Sequence, residues 1–485
     1  MFRPFVALAI AVVGLAWLVA PVATRAQDFV RPAIEKGDIE AGFRTDWFGM
    51  YLQGKKIGHF RTARDKTDEG IRESFAMQMK IVSFGQKAEM NIEQTLVFEP
   101  KEPHGLLRGE FKQVDSSTKL HLTLERKGNG FRKVLKVGNE VRESDVPAIN
   151  YMLADAMASE VWLRRRPKEG DEITYRDFDI QDQKIEGQKA KVLSVKSAIA
   201  NGVPVKYYEI DSQSKRDMLS ILSRHDDTGR MLSGKFAIFE LRLESEEEAK
   251  NTTFSQDLFI LGMAKIDRPL GKTGQVKELV VEVDPKEGGA FEDGPRQTIV
   301  KENGKVIVKL GKKYGKEEKA TEKDVEENLR ETNAHAINHP KVKELAEKAV
   351  GDAKTPEEKV KRIVAFVHGY VRPSLTASMP NIHDLMEKKK GDCKSYALLT
   401  TNLARAAGVP AREVSGLLYI GDDQKAFGGH AWNEVVLNGV WVPVDASMGE
   451  TEVNATHISF GADHRASKNL LTTLGKLNFK LVETK

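Results

Sequence analysis

Residues 391–410 read GDCKSYALLTTNLARAAGVP, and they hold the one cysteine of the 485-residue chain, Cys393. Asp392 is of a residue type that caps helices, and Gly408 followed by Pro410 is typical of a helix end. The stretch between them is rich in Ala and Leu, which favours a helix whose first turn contains Cys393. The partial positive charge and free N–H groups at a helix start stabilise a thiolate and can bind an oxyanion.

Taken alone, the single thiol allows two interpretations. A lone cysteine is either buried and chemically inert or kept for its reactivity, because a free thiol in an oxidising compartment is readily oxidised. One cysteine also excludes an intramolecular disulfide, so packing must stabilise the chain. A decision between the two interpretations needs a chemical partner for the thiol.

A candidate partner follows in a predicted β-hairpin. The apolar-rich runs His430–Leu437 and Val440–Asp445 flank Asn438-Gly439, a dipeptide that favours a two-residue turn. Such a turn pairs the residue before it with the residue after it, so Leu437 is expected opposite Val440.

The register of this hairpin determines which side chains share a face. Counting back from the turn pairs Trp432 with Asp445, and His430 has the same parity as Trp432. His430 and Asp445 are therefore diagonal neighbours on one face, within reach of a hydrogen bond, whereas a slip of one residue would separate them. Pro443 removes a ladder hydrogen bond, which predicts an edge or a bulge in its strand.

These three residue types suit nucleophilic catalysis at a carbonyl group. A thiol attacks as the thiolate, so an imidazole near Cys393 could accept its proton and later protonate a leaving amine. A carboxylate behind the His430 ring, such as Asp445, would fix the ring tautomer and stabilise its charged form. The expected intermediate is a thioester, which water or an amine then resolves. We therefore predict Cys393, His430 and Asp445 as a catalytic triad.

The segments that carry these residues resemble the transglutaminase-like superfamily. They are Gly391-Asp392-Cys393 before a helix, His430–Val435, and Trp441–Asp445. A predicted helix beginning at Thr355, with a proline at its first position and a capping box, is similar to the helix that precedes the cysteine motif in that superfamily. The resemblance covers about residues 325–460.

The resemblance implies a fold and a role for each residue. The fold is α+β and papain-like, with the cysteine at a helix start and the histidine and aspartate on adjacent strands. Cys393 would be the nucleophile, His430 the general base and acid, and Asp445 the carboxylate that orients the ring. The β-rich region ahead of this part also looks like the regions that accompany the domain in large exported bacterial proteins.

The preceding sequence is typical of antiparallel sheet. Phe75, Met77 and Met79 alternate with more polar residues, as in a strand with one buried face. A second β-rich stretch runs to Leu310 and has its clearest hairpin at Asn303-Gly304. The whole chain is thus predicted as an α+β papain-like C-terminal domain preceded by antiparallel β-rich domains.

We predict four parts along the chain. They are an export signal at 1–26, a β-rich domain at 27–255 with a helical segment near 148–165, a second β-rich segment with a charged connector at 256–324, and the transglutaminase-like domain at 325–485.

The N-terminus favours export. A basic start at Arg3 precedes an apolar run over residues 5–20, and Pro21 ends it. Small residues ahead of Gln27 suit cleavage at that point. The alternative is an uncleaved anchor, because the run is nearly long enough to span a membrane. We expect a periplasmic or extracellular protein that contacts the membrane only if this segment is retained.

Charge and motifs disfavour several other classes of function. The net charge of +4 is too small a bias to indicate a nucleic-acid partner. The sequence has no phosphate-binding loop, zincin motif or calcium loop, so no cofactor and no metal are predicted. His335 and His339 stand four residues apart, but a helix end explains them better than a metal pair. The role of Glu434, on the same face as His430 by parity, is left open.

Two functions of different class remain. The first is an exported thiol enzyme that hydrolyses peptide or protein amides, or transfers their acyl groups to an amine, with peptidoglycan-derived peptides as another possible substrate. The second is a binding or assembly module that keeps the fold without catalysis. All three predicted triad positions are filled, which favours the enzyme.

Overall fold

The computed structural model describes residues 31–52, 54–83, 86–115, 119–138, 140–200, 203–214, 220–236, 239–252, 262–284, 291–332, 334–374, 380–462, 466, 469, 473 and 475–485. The predicted export signal at 1–26 lies outside them. Contacts divide the described residues into two compact units, 31–82 with 87–256 and then 257–485. None of the described helices has both the length and the apolar character needed to cross a membrane.

The first unit is built on one large sheet. Its described strands are β1 Arg44–Leu52, β2 Lys55–Lys66, β3 Ile71–Ser83, β4 Gln86–Phe98, β5 Leu106–Val114, β6 Lys119–Lys127, β7 Gly130–Val137, β8 Glu140–Val146, β9 Glu172–Asp179, β10 Lys184–Ala200, β11 Val203–Ser214, β12 Ser220–Asp226, β13 Met231–Phe236 and β14 Phe239–Glu244. Consecutive strands are neighbours in the sheet from β1 to β8 and again from β9 to β14. The two series are joined by the pairing of β1 with β14, so β8 and β9 lie at the two ends of the strand order.

Short helices accompany this sheet. They are α1 Lys36–Ala41, α2 Leu153–Ala156, α3 Ala158–Arg164 and α4 Glu246–Lys250. The helical segment predicted near 148–165 is thus present as α2 and α3. The predicted strand alternation is also present, since Phe75, Met77 and Met79 are buried and their neighbours along β3 are partly or fully exposed.

A buried ionic cluster ties α3 to the sheet of the first unit. The Glu160 carboxylate accepts hydrogen bonds from Arg44 at 2.8 Å and from Arg64 at 2.9 Å, and it also pairs with Arg164. Arg64 in turn binds Glu73. Burial alone would lower the pKa of Arg64, but the carboxylates of Glu73 and Glu160 raise it above its ordinary value.

The second unit has a sheet of its own. Its described strands are β15 Ala264–Ile266, β16 Leu279–Val283, β17 Gln297–Glu302, β18 Lys305–Leu310, β21 Ala411–Tyr419, β22 Ala426–Leu437, β23 Val440–Val444, β24 His457–Ala462 and β25 Asn478–Thr484, while β19 Arg372–Pro373 and β20 Lys390–Gly391 form a separate short pair. The order is β17-β18-β16-β25-β15-β22-β21-β24, and β23 pairs with β22. Strands from the 256–324 stretch therefore share a sheet with strands from 325–485.

Two turns in this sheet have the geometry that their sequence predicts. Asn303 and Gly304 have φ angles of 50° and 72°, and Asn438 and Gly439 have 50° and 79°. Two consecutive residues with positive φ are typical of the hairpin turn in which Asn-Gly is favoured. Both predicted hairpins are confirmed.

The second unit also has described helices, and the one that begins at Cys393 packs on β21 and β22. These helices are α5 Glu322–Glu327, α6 Pro340–Val350, α7 Pro356–Tyr370, α8 Ile382–Lys388 and α9 Cys393–Ala406. The predicted start of α7 is confirmed, since Thr355 Oγ1 accepts the Glu358 N–H at 3.2 Å and Pro356 occupies the first position. The apolar faces of α6, α7 and α9 form one core with each other and with β22, and this core holds the first turn of α9 beside the sheet.

Candidate active site

Cys393 occupies the first position of α9, as the sequence predicts. The Asp392 side chain caps the helix by accepting the Lys394 N–H at 3.1 Å, and the Asp392 carbonyl accepts the N–H groups of Ser395 and Tyr396. These bonds use the next three N–H groups of the first turn, and the Cys393 N–H has no partner among the described contacts. The helix start thus places a partly exposed thiol beside its own free N–H group.

His430 lies on β22, in the predicted register. Leu437 pairs with Val440, and the pairing continues back to Asn433 and Val444. His430 Nε2 donates a hydrogen bond to Asp445 Oδ2 at 2.7 Å. The predicted pair is therefore formed.

The Cys393 side chain lies close enough to the imidazole to contribute to its raised pKa. Because Nε2 of His430 faces Asp445, Nδ1 is the ring nitrogen left for the sulfur. Thiol, imidazole and carboxylate thus lie next to one another in this order.

The Asp445 carboxylate lies just past the end of β23 and is almost fully buried. Its Oδ1 atom accepts hydrogen bonds from the Ser447 N–H at 2.8 Å, the Ser447 hydroxyl at 2.7 Å and the Met448 N–H at 3.3 Å. A pair of main-chain bonds with Glu450, each 2.7 Å long, fixes the backbone at this point. Asp445 is therefore held from both its main chain and its side chain.

The charges of His430 and Asp445 stabilise each other. Burial alone would lower the pKa of His430, but the Asp445 carboxylate, with a smaller contribution from Cys393, raises it to about 10. Burial alone would raise the pKa of Asp445, but His430 and then His457 hold it well below its ordinary value. The favoured state of the pair is an imidazolium beside a carboxylate.

His457 is a residue of this site that the sequence reasoning missed. It lies at the start of β24, and its Nε2 donates to Asp445 Oδ2 at 3.1 Å. Its ring packs edge-on against Trp432, with centroids 5.3 Å apart, and Trp432 also stacks on His430 at 6.0 Å. The alternation of apolar residues with small or polar ones over 457–462 could have predicted a strand at this position. Nothing within that run indicates that the strand pairs with β21.

Residues 343–446 match the profile of the transglutaminase-like superfamily. This segment is a transglutaminase-like domain. It contains the Cys393, His430 and Asp445 positions, whereas His457 lies eleven residues beyond its end. The curated proteins compared with the chain include no match.

Three solved structures overlap parts of the chain at low similarity. A "putative cysteine protease" from Cytophaga hutchinsonii is 16% identical, covers 44% of this chain and 85% of its own, and has a TM-score of 0.28. A beta-barrel-like protein of a domain of unknown function from Brucella abortus is 9% identical over 42% and 96%, with a TM-score of 0.30. A "putative protease" from Parabacteroides distasonis is 11% identical over 78% and 70%, with a TM-score of 0.20.

Three other residues considered in the sequence have partners outside the predicted triad. Glu434 binds Arg412 at 2.7 Å, and the Arg412 guanidinium lies 4.0 Å from the ring centre of Trp441. His335 binds Glu413 at 2.9 Å, while His339 caps the start of α6. The helix-end interpretation therefore fits His339, and His335 belongs to a buried polar contact.

Three residues of this candidate site also form a possible set of metal ligands. His430, Asp445 and His457 each offer one ligand atom, and these atoms lie within 4.8 Å of one another. The separations of 2.7 and 3.1 Å from the two Nε2 atoms to Oδ2 are those of hydrogen bonds. In this structure one carboxylate oxygen accepts a hydrogen bond from each of the two rings.

Proposed function

We propose that this chain is an exported thiol enzyme that cleaves peptide or protein amides, or transfers their acyl groups, through a thioester on Cys393. The observation that carries the proposal is the placement of Cys393 at the start of α9 beside the His430 ring, which is itself hydrogen-bonded to Asp445. An inert structural cysteine needs neither an imidazole nor a carboxylate behind it. The match of residues 343–446 to the transglutaminase-like superfamily supports the same reaction class.

In the first half of the proposed reaction, the proton of the Cys393 thiol resides on His430. The thiolate attacks the carbonyl carbon of the amide, a C–S bond forms, and the oxygen takes up the displaced electron pair. The Cys393 N–H at the start of α9 is a donor available to that developing charge. The C–N bond then breaks, and His430 gives its proton to the leaving amine.

In the second half, the thioester is resolved by a nucleophile. His430, now neutral, accepts a proton from water or from an amine as that molecule attacks the carbonyl carbon. The C–S bond breaks and the sulfur leaves as a thiolate beside the protonated ring. Asp445 stays ionised throughout and stabilises the imidazolium each time it forms.

An unpaired strand edge beside His430 supports a peptide as the substrate. One edge of β22 pairs with β15 at Ala426 and Phe427 and with β23 from Asn433 onward. Between these segments, β22 has no strand partner on that edge among the described residues. Gly429, next to His430, is exposed, and a Cβ built on it would meet no atom within 4 Å. An extended peptide could pair with this edge through its main chain.

We extend the proposal to location and partners. The N-terminal sequence favours export, so the substrate would be a peptide or protein amide outside the cytoplasm, and peptidoglycan-derived peptides fit that description. Hydrolysis and transfer share the acyl-enzyme step, and both belong to the proposal. A nucleic acid is not among the proposed partners.

The test is the rate at which iodoacetamide alkylates Cys393, followed by intact mass. The single cysteine makes the product unambiguous. We expect the wild-type protein to label quickly at neutral pH, and His430→Ala and Asp445→Asn to label slowly, because thiolate formation then loses its proton acceptor or the orientation of that acceptor. His121→Ala, which alters a histidine of the first unit bound to Glu110, is the matched control and should label as the wild type does.

A peptide library then tests turnover. Wild-type protein should release new termini or incorporate a labelled amine, and Cys393→Ala should do neither. Slow labelling that is the same with and without His430 would overturn the enzyme proposal and would favour the binding module instead.

A further inference from the structure

His457 and His430 share one oxygen of the Asp445 carboxylate. Their Nε2 atoms lie 3.1 and 2.7 Å from Oδ2, and the two rings have centroids 5.7 Å apart. The side chain of His457 is only 1% exposed, as is that of Asp445. The contact is therefore buried and belongs to the same cluster as the proposed triad.

The two oxygens of Asp445 are held by different parts of the chain. Ser447 and Met448, two and three residues after Asp445, supply the donors to Oδ1. His457, on β24, supplies the second donor to Oδ2. A carboxylate held only at Oδ1 can still rotate about its Cβ–Cγ bond, whereas a donor to Oδ2 that is independent of His430 fixes its plane.

We infer that His457 is a positioning residue for the proposed Cys393–His430–Asp445 site: its Nε2–H fixes the plane of the Asp445 carboxylate so that Oδ2 points at His430. This inference rests on the proposed function. His457 acts through Asp445 and has no described contact with Cys393.

The surroundings of His457 favour this role over a purely structural one. Its Nδ1 atom is buried and has no hydrogen-bond partner, so the one polar contact described for the ring is with Asp445. The ring otherwise packs edge-on against Trp432. An apolar ring could fill the same space without burying an unpaired nitrogen, so the Nε2–H donor is what distinguishes histidine at this position.

Two variants separate the donor from the shape of the ring. His457→Phe keeps an aromatic ring against Trp432 but removes the N–H group, whereas His457→Gln keeps an N–H donor at a similar reach. The measurement is the alkylation rate of Cys393 by iodoacetamide against pH, beside wild type and His430→Ala, with the unfolding midpoint of each variant. We expect His457→Phe to label about tenfold more slowly than wild type, the loss of one hydrogen bond to a charged group, and His457→Gln to recover most of the rate.

The outcomes are distinct. Suppose that the alkylation rate of Cys393 depends on His430. If both His457 variants then label at the wild-type rate, or if both are slowed equally, the positioning role is overturned and the proposed function stands. If the alkylation rate is the same in wild type and His430→Ala, the proposed function itself is overturned.

A second measurement covers the case in which His457→Phe does not fold. In wild-type protein labelled with 15N-histidine, the His457 ring should carry its proton on Nε2. A ring protonated only on Nδ1 could not donate to Asp445 and would also overturn the inference.

Discussion

Asn433 on β22 donates its side-chain amide to the carbonyl oxygen of Ala397 on α9 at 3.0 Å. Asn433 lies three residues after His430, and Ala397 lies one helical turn after Cys393. The same amide also donates to the Thr401 hydroxyl at 2.8 Å. The strand that carries the imidazole and the helix that carries the thiol are therefore joined by fully buried hydrogen bonds close to both groups.

Replacing Asn433 by Ala should weaken this connection. The change leaves the Ala397 carbonyl without that donor, and we expect a loss of about 1–3 kcal/mol in the free energy of unfolding. Alkylation of Cys393 should slow as well, because the distance between thiol and imidazole is then less strictly set. Chemical denaturation and iodoacetamide labelling measure the two effects. Asn338→Ala, at an exposed side chain bound to Glu331, is the control and should change stability by less than about 0.5 kcal/mol.

Gly416 on β21 lies directly opposite His430 and leaves room for Trp432. A Cβ at Gly416 would clash first with the Ile458 carbonyl oxygen of β24 and would lie 2.6 Å from the Trp432 ring. Gly416→Ala should therefore push β24 away and displace the ring that packs on His430 and His457. We expect a destabilisation of about 1–3 kcal/mol and slower labelling of Cys393. Gly429→Ala, where a Cβ meets nothing within 4 Å, is the matched control. Equal unfolding midpoints for the two variants would contradict this account of Gly416.

The pKa values of His430 and of the buried His225 should shift in opposite directions. Asp445 raises the pKa of His430 to about 10, whereas burial lowers the pKa of His225 in the first unit to about 4. NMR titration of 15N-histidine should show His430 protonated well above pH 7 and His225 neutral down to acidic pH. In Asp445→Asn the His430 titration should move to lower pH, because the main cause of its shift is removed. A wild-type His430 that titrates near pH 6.5 would contradict the assignment of the ion pair.

The stability contributed by this ion pair should depend on pH. The pKa of His430 is raised on folding, so its contribution is complete below about pH 6.5, the value for an unfolded histidine, and is lost as the pH rises towards about 10. The pKa of Asp445 is lowered, so its contribution is lost as the pH falls below about 4. The difference in unfolding free energy between wild type and Asp445→Asn should be largest between these limits. A difference that is constant from pH 6 to pH 10 would contradict the linkage.

Glu160 should be important for the stability of the first unit. Its buried carboxylate faces the guanidinium groups of Arg44 and Arg64, so Glu160→Gln leaves their charges less compensated. We expect a loss of about 3–5 kcal/mol in that unit. Glu143→Gln removes an exposed partner of Arg132 and should cost at most about 1 kcal/mol. Thermal unfolding of the two variants measures the difference.

Much of the local structure near the site could be predicted from the sequence because its signals are local. The cap at Asp392 places Cys393 in the first turn of a helix, and a turn of fixed length at Asn438-Gly439 sets the register that brings His430 and Asp445 to one face. Caps and two-residue turns depend on backbone geometry within a few residues, which is why short motifs specify them.

Contacts between distant segments were decided only by the tertiary structure. His457 reaches Asp445 because β24 pairs with β21, and Asn433 reaches Ala397 because α9 packs on β22. The strands of the 256–324 stretch join the same sheet as β22, although the charged residues that follow them suggested a connector. Pairing between segments far apart in sequence depends on how whole apolar faces fit together, and no short motif encodes that fit. The sequence by itself thus determined the predicted triad, and the fold determined the groups that hold it in place.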